Sequence, residues 1–113
     1  MPTLYTRTFN FKGSLTDAQV LEEWQFLLEA LSVVEKVNGV RSVKAYSGAG
    51  ALRADITITF EMDDASVYER VLVDSDVRRL LGRVYGAWNM ETASQSFKRE
   101  VTPDLIQALS STG

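Results

Sequence analysis

The chain of 113 residues contains no cysteine and no histidine. Without cysteine there can be no disulfide, no thiol nucleophile and no thiolate metal site. Without histidine the commonest general base and the commonest neutral metal ligand are missing as well. An excess of basic residues is also lacking: 12 Lys and Arg stand against 15 Asp and Glu, a net charge of −3. That balance does not provide the positive footprint of a nucleic-acid binder, so no nucleic-acid partner is expected. No apolar run reaches the roughly 18 residues of a transmembrane helix, and no membrane partner is expected. Residues 1–7 lack a basic region followed by an apolar stretch, so no secretory signal is read and the expected location is cytoplasmic. Metal binding is not expected either. Only carboxylates remain as ligands, and Asp63, Asp64, Asp74 and Asp76 lack the spacing of a calcium loop.

What is present is an ordinary globular composition, 45% hydrophobic and 24% charged, at the usual size of one domain. Residues 4–11 are rich in aromatic and β-branched types and read as a strand, with Tyr5, Phe9 and Phe11 on one face and Thr6, Thr8 and Asn10 on the other. Thr16 and Gln19 form a capping box for a helix running to about Val37, and Asn38-Gly39 supplies a left-handed stop. The apolar surface of that helix is wider than one contact needs. Val20, Trp24, Leu27, Leu31 and Val34 make one stripe flanked by Leu21 and Leu28; Phe26, Ala30, Val33 and Val37 make a second. A second contact is therefore expected, with another helix, the C-terminal tail or a partner subunit.

Residues 40–46 and 53–62 read as two further strands, the second alternating Ala54, Ile56, Ile58, Phe60 and Met62 against polar neighbours. The connection 47–52 carries Gly48 and Gly50. A strand rather than a helix follows it, which favours a hairpin loop over a phosphate-binding one. Helical spacing resumes at Val67, breaks at Asp74-Ser75-Asp76, where Ser75 is expected to cap, and continues to Tyr85. Residues 91–101 alternate weakly, with Ala93, Phe97 and Val101 on one side. Thr102-Pro103-Asp104 opens a last helix over 103–110, which is too short to be stable unless it docks.

This order of strand, helix, strand, strand, helix, strand and terminal helix predicts an α+β, ferredoxin-like βαββαβ fold in one domain, 1–113, with its core at 4–101. Both long helices cover one sheet face. The other face is left rich in hydroxyls: Thr6, Thr8 and Asn10 beside Asp55, Thr57 and Thr59, with Thr92, Ser94 and Ser96 beyond. The stretch Thr57-Ile58-Thr59-Phe60-Glu61-Met62-Asp63-Asp64-Ala65-Ser66-Val67-Tyr68, with the break Val73-Asp74-Ser75-Asp76-Val77 after it, resembles the dimeric α+β barrel superfamily. The resemblance implies two sheets packed face to face in a homodimer, with a small-molecule site between sheet and helices. It also spans cofactor-independent monooxygenases, cyclases, isomerases, haem-degrading enzymes and stress-response proteins, so it does not select a function. Several of those families carry a His after the helix break; here Val77 stands nearest to it, which removes His-dependent chemistry.

Two constellations could carry function, and each also has a structural reading. Asn10, Trp24, Tyr46, Tyr68 and Trp88, with Asn89, could hold an aromatic compound, as a strand Asn and a helix Trp do in the monooxygenase-like branch. Alternatively the Trp residues fill the core and Asn10 ends a strand. Arg53 and Asp55, with Glu61 as a further member, could supply a buried carboxylate base without His, or form a plain ion pair. The candidate catalytic residues are thus Asn10 and Asp55, and the candidate ligand contacts are Trp24, Tyr46, Tyr68, Trp88 and Arg53. Arg78, Arg79 and Arg83 complement a helix dipole more readily than they bind phosphate. The expected function is binding of a small aromatic or polyketide-like molecule by a homodimer, with cofactor-independent oxygenation as its enzymatic form. The alternative is a non-enzymatic stress-response or interaction domain whose barrel is filled by side chains. A closed pocket of several hundred Å³ containing Asn10 or a Trp indole favours the first.

Overall fold

A computed structural model describes residues 2–48 and 52–111. Residues 49–51, in the expected hairpin loop, lie outside the described residues. The elements run β1 (Thr3–Phe11), α1 (Asp17–Val34), β2 (Val40–Tyr46), β3 (Ile56–Met62), α2 (Val67–Val73), α3 (Ser75–Val84), β4 (Trp88–Arg99) and α4 (Pro103–Ser111). A single 3-10 turn, Tyr85–Ala87, joins α3 to β4. The sheet order is β2-β3-β1-β4 with antiparallel neighbours, the split arrangement that the element order predicts.

Alternation decides the faces. Tyr5, Phe9 and Phe11 of β1 and Ile56, Ile58, Phe60 and Met62 of β3 are buried beneath the helices. Val20, Leu27, Ala30, Leu31 and Val34 of α1, Val67 and Val71 of α2, and Val77 and Val84 of α3 close over them. The Thr16–Gln19 capping box forms as its spacing predicts: Gln19 N donates to Thr16 Oγ1 at 3.2 Å and Thr16 N to Gln19 Oε1 at 2.8 Å. The second contact expected of α1 is made with α3. Glu23, 7% exposed, holds Arg83 at 2.8 Å, and that guanidinium lies 4.5 Å from the centre of the Phe26 ring. Leu21 and Leu28 remain exposed.

Several boundaries move, each for a local reason. The regular part of α1 ends at Val34, because Lys36 N and Val37 N bond to Val33 and Val34 in tighter turns. The cap of α3 is Asp74 rather than Ser75; its carboxylate accepts from Asp76 N and Val77 N, both at 3.0 Å. β3 starts at Ile56, not Arg53, since Asp55 has φ 55° and cannot continue a strand. β4 starts earlier than expected, at Trp88, and its register against β1 shifts between Thr8 and Asn10. Such a bulge blurs alternation in sequence. Phe97 does face the helix side, 5.0 Å from both Tyr5 and Tyr68 ring centres, yet is 46% exposed. Val101, expected to face the helices, lies beyond the strand and is exposed.

Thr102 caps α4, with Leu105 N donating to its Oγ1 at 3.2 Å. This helix makes only marginal contact with the other elements, and the molecule measures 56 × 30 × 21 Å. Its Cα radius of gyration of 16.2 Å exceeds the roughly 13 Å of a compact chain this long.

The turn into β2 depends on Gly39, whose φ is +97° and whose added Cβ would lie 2.6 Å from Val67 Cγ2. Gly39→Ala is expected to cost about 2 kcal/mol from backbone strain before any clash is counted. Urea unfolding measures it, and an unchanged midpoint would show that the turn can relax.

Candidate functional site

A cleft opens on the helix side of the sheet. Its floor is Tyr5 and Arg7 of β1, Ile58 and Phe60 of β3, and Trp88 of β4; Leu27 and Leu31 of α1 form one wall. Tyr68, Val71 and Leu72 of α2, Leu81 of α3 and Tyr85 close the other side. The unfilled space is about 20 Å³, room for roughly one water. A larger groove of about 370 Å³ lies open at the sheet edge, between Pro2, Leu4, Glu61, Lys98 and Glu100. Its carboxylates and cations offset each other and aromatic walls are missing, so it has the character of surface relief.

Arg7 is the polar centre of the cleft. It belongs to the core-facing series Tyr5-Arg7-Phe9-Phe11, so the strand carries a cation inward. The guanidinium carbon sits 5.9 Å from the Tyr85 ring centre and 5.7 Å from that of Trp88, a cation–π position on two aromatic residues. Nη1 donates to Gln95 Oε1 at 3.0 Å, across the β1–β4 pair Arg7↔Gln95. Tyr5 OH donates to the same oxygen at 3.1 Å, and Tyr68 OH to the Tyr5 oxygen at 3.4 Å. No ion pair involves Arg7 among the described residues. The buried Arg7 Nε and Trp88 Nε1 have no hydrogen-bond acceptor there either. A buried donor left unpaired costs roughly 1–3 kcal/mol, so two in one cleft are a strong chemical signal.

Burial pushes the Tyr5 phenol well above its ordinary value, helped by the hydrogen bond and charge of Tyr68 and opposed by Arg7. Burial also raises Tyr85, again helped by Tyr68 and opposed by Arg7. Both phenols are therefore donors at neutral pH, and neither is a base. A phenol raised on folding stabilises the native state fully below its unfolded value near 10 and loses that contribution as the pH climbs beyond it. Stability is expected to fall above about pH 10, and less steeply in a Tyr5→Phe, Tyr85→Phe double variant. Denaturant midpoints measured on both proteins across that range check this; equal slopes would show that other groups dominate.

Of the residues singled out in the sequence, Tyr68 and Trp88 line this cleft. Trp24 does not: its Nε1 donates to Leu52 O at 2.6 Å, and its ring packs 6.0 Å from Phe11, pinning the β2–β3 connection to α1. Tyr46 is exposed at the end of β2, on the opposite sheet face. Arg53 Nη2 meets the exposed Asp17 carboxylate at 2.7 Å. Asn10 and Asp55 do come together, but away from the cleft. Asn10 Oδ1 accepts from Asp55 N at 2.8 Å and Nδ2 donates to Thr92 Oγ1 at 3.2 Å, holding the left-handed turn that starts β3. Asn89 accepts from Glu91 N at 3.2 Å in the turn of β4. Sequence reading missed Arg7 and Gln95. The available signal was a charged residue in the apolar phase of an alternating strand.

The cleft, the sheet order and the broken second helix can now be set beside known proteins. No protein-family profile matches the chain, and no curated protein matches it. Solved structures do. SnoaB, a cofactor-independent oxygenase from Streptomyces nogalater, superposes with a TM-score of 0.71 at 10% identity, covering 90% of this chain and 97% of that one. A dimeric protein of unknown function and ferredoxin-like fold from Bacteroides fragilis gives 0.74 at 10% identity, covering 88% and 96%. An antibiotic biosynthesis monooxygenase gives 0.72 at 9% identity, covering 90% and 100%. The chain has the ferredoxin-like α+β fold. At these identities the likeness is one of fold alone.

Proposed function

We propose that this protein is a homodimer that binds a small planar aromatic molecule in the cleft around Arg7. The observation that carries the reading is the convergence of Tyr5, Tyr68, Tyr85 and Trp88 on one inward-facing cation. Aromatic walls with a few placed polar groups are the ordinary make-up of a small-molecule site. A ligand must displace side chains, because about 20 Å³ is free. Tyr68, Leu72 and Leu81 sit on the short helices either side of Asp74, where an opening motion needs only local rearrangement. Tyr68 and Trp88 are the sequence-predicted residues given contact roles here, while Asn10 and Asp55 shape the start of β3. Their catalytic assignment has a direct assay: Asn10→Ala losing turnover with its fold intact would restore it.

The open sheet face supports the dimer. Thr6, Thr8, Thr57, Thr59, Ser94 and Ser96 share it with Lys44, Glu61 and Lys98, and Thr8 Oγ1 and Ser94 Oγ are hydrogen-bonded at 2.5 Å. The dimeric protein of Bacteroides fragilis supports this pairing by analogy of fold. Sedimentation at micromolar concentration is expected to give two chains, and a monomer would end the barrel reading.

Thermal-shift screening of phenols and fused-ring aromatics is expected to raise the melting temperature and quench Trp88. Oxygen uptake with any bound phenol then tests the oxygenase form of the reading, for which the cofactor-independent oxygenase of the same fold is the support. The small free volume favours a second reading, a non-enzymatic domain whose interior is filled. That reading gains if no aromatic compound shifts the melting temperature.

A further inference from the structure

Arg7 and Trp88 each leave one ring or guanidinium N–H without an acceptor on the same cleft floor, among the described residues. Arg7 Nε and Trp88 Nε1 are both buried and unpaired among the described residues, and the guanidinium carbon lies 5.7 Å from the Trp88 ring centre. The charge is as one-sided as the hydrogen bonding. None of the residues lining the cleft carries a carboxylate. Two acidic groups of the covering segments are committed elsewhere: Glu23 holds Arg83 at 2.8 Å and Asp74 caps α3. Gln95, the polar partner of Arg7 among the described residues, is neutral and takes Nη1, leaving Nε without an acceptor there. Tyr5 OH also donates to Gln95, so the amide oxygen already accepts two bonds and has no lone pair to spare.

We infer that the cleft recognises an aromatic oxyanion, a carboxylate or phenolate on a planar ring, whose oxygen accepts from Arg7 Nε and Trp88 Nε1. This rests on the cleft being the binding site, as proposed above. An oxyanion completes both deficits at once, supplying a negative charge and the acceptor lone pairs, which a neutral ring does not. The ring of such a ligand lies between Tyr68, Tyr85 and Trp88, while Arg7, held in place by Gln95 and its two aromatic neighbours, needs little reorganisation to receive the oxyanion.

The probes are 2-naphthoate and 2-naphthamide, which match in shape and differ in charge, titrated by calorimetry into the full chain. The expected result is that naphthoate binds tighter by roughly tenfold or more. In Arg7→Met, which keeps length and removes charge and donors, the two affinities should become equal. Trp88→Phe, which keeps a ring and deletes the N–H, should weaken naphthoate several-fold and leave naphthamide within about twofold. Equal affinities in the native protein, or a preference that survives Arg7→Met, would overturn the oxyanion assignment and leave the aromatic cleft standing. Binding of neither probe would remove both. Should Arg7→Met fail to fold, Arg7→Lys serves in its place. It retains a charge but not the Nε donor, and should keep part of the preference; full retention counts against the inference. The comparison of the two probes on the native chain needs no variant at all.

Discussion

Phe9→Ala is expected to lose about 3–5 kcal/mol of stability, a large share of what a domain this size possesses. Phe9 is 2% exposed and stacks on Trp88 with ring centres 3.7 Å apart and planes 12° from parallel. Its edge meets Phe11 at 5.4 Å. The ring also fills the point where the β1–β4 register shifts, between Thr8 and Asn10, so the strands cannot close on the cavity without moving the bulge. Truncation therefore removes both the transfer free energy and the support beneath the cleft floor. Denaturant unfolding gives the loss, and near-UV circular dichroism reports whether Trp88 keeps its fixed environment. A loss below about 2 kcal/mol would show that β1 and β4 repack around the gap.

Thr8→Lys should break the proposed dimer while leaving the subunit folded. Thr8 lies at the middle of the open face, bonded to Ser94 and opposite Thr57 in the register. In a two-fold interface every substitution enters twice, so two ammonium groups would be desolvated there. The expected outcome is a dissociation constant raised by roughly 100-fold or more. The lysine chain of a separated subunit reaches water freely, so its far-UV circular dichroism should match that of the native chain. Sedimentation of both proteins over a range of concentrations decides it. A Thr8→Lys variant that stays dimeric would place the interface on another surface.

The legibility of the chain varied with how local each decision was. β3 could be read residue by residue, because Ile56, Ile58, Phe60 and Met62 alternate without a break and are all buried. The Thr16 box and the Gly39 turn are equally local, being set by hydrogen bonds and backbone angles within a few residues. β4 was harder. Its bulge, its inward Gln95 and a half-exposed Phe97 hide the alternation, and the strand begins at Trp88 before any pattern shows. For the site, Tyr68 and Trp88 were visible as aromatic residues of the right class, yet so were Trp24 and Tyr46, which lie elsewhere. Asn10 and Asp55 entered the sequence reading in two separate constellations, and the structure joins them by one backbone-supporting hydrogen bond across 45 positions.

The sequence by itself determined what the protein cannot use: with no His and no Cys, no imidazole or thiolate enters any mechanism. It also determined the order of elements and most inward-facing sets, since strand and helix periods are properties of neighbouring residues. The tertiary structure alone decided that Arg7 is the centre of a cleft. An arginine in the apolar phase of a strand means nothing until its partners are known, and Gln95 stands 88 positions away. The order β2-β3-β1-β4 brings those strands together, and the register then sets Gln95, Tyr85 and Trp88 around one guanidinium. Cross-strand pairing depends on register and bulge, which are properties of two strands at once and are written in neither alone.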